Sequence, residues 1–210
     1  MNKQAKKTMI MSILMSAPGP LILLINLFFG QSSTQIADFV RRAIELLAII
    51  LSFVVYLITT KDNMTDNIKK TKLEKASNIF VSIAMIVSGI IMIILAITSG
   101  SSDKGNVIPG FIIALLGFIA NTIFFIRYTI LGKKTNNSIL STQGKLYRAK
   151  TFVDFSVTIA LLTVLIWPNS KVSFYFDLIG TILVSVYLIV TGIISLIKMK
   201  KQGWISEMIK

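Results

Sequence analysis

Charged side chains interrupt two stretches of this sequence that are otherwise apolar. The segment "IADFVRRAIELLAIIL" carries Asp38, Arg41, Arg42 and Glu45, and "YRAKTFVDFSVTIALL" carries Lys150 and Asp154. On a helix, Asp38, Arg41 and Glu45 stand at i, i+3 and i+7 and share one face, and Lys150 and Asp154 share another at i and i+4. Carboxylates brought together in this way can bind a proton or a hard cation, and oxygen-only ligand sets suit magnesium or manganese better than zinc. Cations on the same faces can equally lock the carboxylates into ion pairs. Asp38 and Arg42 also fit a local i,i+4 pair with the acid in the favoured N-terminal position.

Other chemistry is excluded by what is missing. The chain has no cysteine and no histidine, so it builds no disulfide framework, Cys/His zinc site, thiol nucleophile or imidazole base. It also lacks a Gly-x-Gly-Asp segment, and its many serines and threonines are ordinary in packed membrane helices. The expectation is that it is not an enzyme.

The elements that must carry these charges are membrane helices. Of 210 residues, 54% are apolar and 15% charged, and the mean hydropathy is +0.77. A soluble domain carries about 25% charged residues. The apolar residues fall in blocks near the length of about 20 residues that a spanning helix needs. Six spans are expected, at about 8–29, 36–60, 77–99, 107–131, 151–167 and 178–197, with span 4 free of charge from Val107 to Ile126. The fold class is therefore all-α and polytopic. A single domain covers 1–200, followed by a short tail at 201–210. The run Ala17-Pro18-Gly19-Pro20 should kink span 1 without ending it.

Charge then gives sidedness. Lys3, Lys6 and Lys7, the lysines from Lys61 to Lys75, the cluster Lys133, Lys134, Lys145, Arg148 and Lys150, and Lys198, Lys200 and Lys201 all fall on one side of six alternating spans. The opposite connections, around Gln31, Asp103 and Asn169, carry only Lys104 and Lys171. Positive segments stay inside, so both termini are expected in the cytoplasm. This rule also accounts for the net charge of +13. A lipid bilayer is the expected partner, nucleic acid is not, and the expected location is a bacterial plasma membrane.

At about 1.5 Å per residue, Glu45 and Asp154 both fall in the middle third of a bilayer about 30 Å thick. A charge there costs about 2.5–3.5 kcal/mol on the insertion scale, so it marks function or a fixed pair. Spans 2 and 5 run antiparallel, which sets Arg41 level with Asp154 and Lys150 level with Glu45. Asn26 and Asn121 read as interhelical hydrogen-bonders. Asp177, Lys171 and Arg127 read as loop or snorkelling residues.

The order of these pieces resembles the transmembrane part of the cation diffusion facilitators, or cation efflux family. That family shows a turn leading to "LADAxHxxxD" in span 2, where this chain has "GQSSTQIADFVRRAIELL". Its Gly-His-Lys/Arg-x-Glu element corresponds to "KKTKLEKASNIF", which keeps Lys72 and Glu74. Its span 4 Asn and following "NSxxL" correspond to Asn121 and "NNSILS"; its later aspartates correspond to Asp154 and Asp177. The resemblance covers nearly the whole chain. It implies a six-span metal/proton antiporter, a homodimeric assembly and four ion ligands, two in span 2 and two in span 5. Carried over residue by residue, those positions are Arg41, Glu45, Lys150 and Asp154. Glu45 and Asp154 keep oxygen ligands, whereas Arg41 and Lys150 offer no lone pair to a metal. The family's usual soluble C-terminal domain has no counterpart in the short tail. Two functions follow: a cation/proton antiporter exporting a divalent or other hard cation through Glu45, Asp154 and Asp38, or a non-transporting relative whose metal site has become interhelical ion pairs.

Overall fold

The structure, a computed structural model, describes residues 2–27, 33–60, 67–98, 108–166 and 171–208. The described residues form helices alone: α1 (Lys3–Ser16), α2 (Pro18–Leu27), α3 (Ser33–Thr59), α4 (Asn67–Thr98), α5 (Ile108–Thr135), α6 (Ser138–Ile166) and α7 (Lys171–Met208). The all-helical fold class is borne out. The expected outer connections around Gln31, Asp103 and Asn169 lie outside the described residues.

The first span is kinked as its prolines predict. Asn2 caps α1 by accepting from Gln4 N and Ala5 N at 2.9 and 3.3 Å. The helix breaks at Ala17 because Pro18 has no N–H for the carbonyl one turn back. Ala17 itself keeps helical angles, so α2 continues the course of α1 with a bend.

Two segments expected outside the spans, a basic loop and the tail, are helical. The basic run 138–150 belongs to α6, and α5 and α6 are joined by Asn136 and Asn137 alone. Asn136 takes φ of 46°, a left-handed position that asparagine tolerates. Asn137 caps α6 by accepting from Leu140 N at 3.1 Å. Between Ser138 and Lys150 nothing breaks a helix except Gly144, and there the missing side chain lets Thr129 of α5 approach: an added Cβ would lie 3.3 Å from its Oγ1. At the far end α7 runs unbroken through 201–208, so this part of the expected tail is helical.

The helices alternate in direction and pack as neighbours: α5 on α6, α4 on both α3 and α7, α6 on α7, and α1–α2 against α3 and α5. Tyr128 and Tyr147 stack at 5.2 Å between α5 and α6, inside a core that includes Met9, Ile49, Met85 and Leu188. Polar residues concentrate inward: Ser12, Ser52, Ser82, Gln143 and Ser185 are fully buried. Large apolar residues face out, with Ile97 77% and Leu183 65% exposed. An apolar exterior of this kind is what a lipid solvent selects. Among the described residues four helices are long and apolar enough to cross a membrane, at Phe39–Thr59, Asn67–Ile97, Ala114–Thr135 and Leu178–Lys200.

Candidate functional site

Glu45 is the hub of the charged cluster. It projects from the inner face of α3 and is 3% exposed, with Arg41 one turn earlier at 7%. The two carboxylate oxygens are engaged separately. Arg41 Nη1 lies 3.4 Å from Oε1, and Lys150 Nζ, arriving from α6, lies 3.6 Å from Oε2. Ser88 of α4 stands beside the carboxylate without a well-formed hydrogen bond. Arg42, on the next face, reaches back over Gly19 of α2.

Lys150 is held from behind by α1. Its ammonium donates to Ser16 Oγ at 3.5 Å and sits 5.3 Å over the Tyr147 ring. Ser16 donates to Tyr147 OH at 3.1 Å, and that hydroxyl donates to Ser12 O at 3.2 Å. Ser12 Oγ donates to Met9 O at 2.9 Å, so Tyr128 is the donor in its 2.6 Å contact with Ser12 Oγ. This chain of bonds ends on backbone carbonyls. It is a clamp that fixes α1 against α5 and α6 and aims Lys150 at Glu45.

Asp154 stands one turn along α6 from Lys150 and faces α5. Asn121 Nδ2 donates to its Oδ2 at 2.5 Å. One turn from Asn121, Gly117 leaves the room the carboxylate fills, because an added Cβ would lie 2.9 Å from Oδ2. Lys150, Arg42 and Arg41 all act on Asp154 electrostatically, and Lys150 acts on Glu45 as well. Lys150 therefore pairs with Glu45 and reaches Asp154 only through its field.

Antiparallel register sets Lys150 level with Glu45, and the two touch. It also sets Arg41 level with Asp154, but there the contact differs. Arg41 turns along its own helix to Glu45, and Asp154 turns to Asn121. The cause is packing: α6 packs far more extensively on α5 than on α3, so Asp154 finds its partner on the nearer helix. Asp38 and Asp177 lie on α3 and α7, and Asn26 on α2; their side chains fall outside the described set. Three contributors were not singled out from the sequence: Ser16, Tyr147 and Gly117. The pair Gly117 and Asn121, four apart on one helix face, was the legible signal for the last.

Among the described residues no group of three carboxylate, histidine or cysteine side chains converges as a metal cage.

No curated protein matches the chain significantly. The sequence profile of the cation efflux transmembrane domain matches residues 9–199, from α1 to α7 and through every member of the cluster. That match spans nearly the whole chain, and the chain therefore belongs to the cation efflux family and is an integral membrane protein of its transporter type.

Proposed function

We propose that this chain is a cation/proton exchanger in which Lys150 is a resident, displaceable counter-ion. The supporting observation is the division of labour at Glu45: Arg41 takes Oε1 and Lys150 takes Oε2. A hard cation arriving from the cytoplasm replaces the Lys150 ammonium at Oε2 and gains Asp154, while the Arg41 contact stays whole. Arginine keeps its proton, so it serves as a fixed brace. In the proposed cycle the cation, placed between the same carboxylates, repels the ammonium, and the proton of Lys150 leaves to the cytoplasm from which the cation came. When the cluster turns to the other side, a proton returns to Lys150, the ammonium retakes Glu45, and the cation leaves. Magnesium and manganese suit the oxygen donors; zinc, which favours four N/S/O ligands, does not. Six crossings with both termini in the cytoplasm, in a bacterial plasma membrane and as a homodimer, complete the proposal.

A second reading has its own support: both oxygens of Glu45 are already engaged, the arrangement expected of a fixed structural pair. In that case the protein is a non-transporting membrane partner. Reconstituted vesicles separate the two. With a pH gradient imposed, magnesium or manganese flux into vesicles of the wild-type chain should exceed that of Glu45→Gln by about tenfold or more, and collapse of the gradient should abolish it. Equal flux in both, with both proteins monodisperse, would leave the structural reading standing.

A further inference from the structure

Beyond the Glu45 cluster, a cavity of about 250 Å³ lies between the α5–α6 turn and the basic end of α7. Its wall includes Asn78 of α4, Asn137 and Ser138 at the turn, Lys145 of α6, and Ser195 and Lys198 of α7. It shares no residue with the cluster around Glu45.

The cavity is a cationic one. Lys145 is half-buried outside the apolar stretch of α6, and its ammonium donates to Ser195 Oγ at 3.3 Å. Burial, and then the charges of Lys198 and Arg148, pull its pKa below the ordinary lysine value. Among the described residues no carboxylate forms a salt bridge with Lys145 or Lys198. The start of α6 adds the positive end of a helix dipole at Ser138.

An independent observation narrows the ligand. Asn78 is 4% exposed, and its Nδ2 donates to Ser138 Oγ at 2.6 Å. Its Oδ1 is buried and accepts no hydrogen bond. A buried acceptor is costly to leave idle unless a donor reaches it. The same cavity therefore calls for negative charge at the lysines and a hydroxyl donor at Asn78.

We propose that this cavity binds a phosphate ester carrying a free hydroxyl, with the phosphate between Lys145 and Lys198 and the hydroxyl on Asn78 Oδ1. The volume is below the about 300–1,000 Å³ of drug-sized sites and suits a headgroup-sized molecule. Two sources share this chemistry: the phosphoglycerol headgroup of an anionic lipid, and a soluble glycerol phosphate. Lys198 stands at the end of the apolar run Leu178–Lys200, where lipid phosphates lie, and basic residues at that depth attract anionic headgroups.

The test is thermal unfolding of the purified full-length chain in an uncharged detergent. The additives are phosphatidylglycerol, phosphatidylmethanol (the same charge without the hydroxyls), phosphatidylcholine and glycerol 3-phosphate. Phosphatidylglycerol should raise the midpoint, and half-saturation should need about tenfold more phosphatidylmethanol. The double variant Lys145→Gln, Lys198→Gln should need about tenfold more phosphatidylglycerol or show no shift. Glycerol 3-phosphate acting at the same concentration supports a soluble ester as the occupant, and its inertness supports the lipid headgroup. Equal responses of wild type and double variant would overturn the site, as would equal responses to the two anionic lipids or no response to any phosphate. Should the double variant not fold, Lys198→Gln alone, at an exposed side chain, carries the same comparison with bound lipid counted by native mass spectrometry.

Discussion

Glu45 serves two cations from two oxygens, and this sets how the cluster tolerates change. Removing the carboxylate, as in Glu45→Leu, takes away the anion that Arg41 and Lys150 both approach. A broken buried pair of this kind typically costs about 3–5 kcal/mol. Lys150→Met is milder, because Arg41 still neutralises Glu45 at Oε1. Thermal unfolding in detergent should therefore place Glu45→Leu well below Lys150→Met, with Lys150→Met nearer wild type. The exchange Glu45→Lys with Lys150→Glu restores only part of the loss, since it sets a lysine one turn from Arg41. Equal losses in the two single variants would mean that Arg41 does not brace Glu45. The sequence made the contact between Glu45 and Lys150 legible, because antiparallel helices and four-residue spacings fix which levels meet. It did not make Arg41's choice legible. An arginine side chain reaches along its own helix as easily as across, and only the separation of α3 from α6 decides between them. Ser16 and Tyr147 were hidden for a related reason: nothing in their spacing says that α1 folds back over Lys150.

At the level of helices, close approach is written in glycine. An added Cβ at Gly89 of α4 would lie 2.8 Å from Ser185 O, and one at Gly192 of α7 would lie 2.8 Å from Ser82 O. Both meet backbone carbonyls, which cannot rotate aside, so α4 and α7 must separate. At Gly180 the nearest atom is Ser156 Cβ at 3.3 Å, a contact that small shifts relieve. Gly89→Ala and Gly192→Ala should each lower stability by about 1–3 kcal/mol, and Gly180→Ala should cost less than either. Unfolding midpoints in one detergent, for the three variants side by side, check that order. Apolar blocks and the Pro18–Pro20 kink gave the helices from sequence, but their ends came out longer. Lysines at a helix end look like a loop when charge is the only guide, yet Lys145 and Arg148 are good helix formers. Only the Asn136–Asn137 pair carries the turn.

Across the whole molecule, alternating helices bring the start of α1, the α5–α6 turn and the end of α7's apolar run to one basic end. The proposed topology makes that end cytoplasmic. With no native cysteine, single cysteines report sidedness cleanly: Lys134→Cys at the exposed end of α5 should resist an impermeant thiol reagent in intact cells, and Ser102→Cys should react. The reverse pattern would invert the topology and, with it, the direction of export. Lys150 as the proton carrier is the centre of the proposed exchange. Its most direct test is proton release from the detergent-solubilised protein in weakly buffered solution, read by a pH-sensitive dye as magnesium or manganese is added. On the proposed exchange the wild type should release about one proton per bound cation, as the cation takes the place of Lys150 at Glu45. Lys150→Met should bind the cation and release none. Proton release unchanged in Lys150→Met, or no cation binding by the wild type, would contradict it.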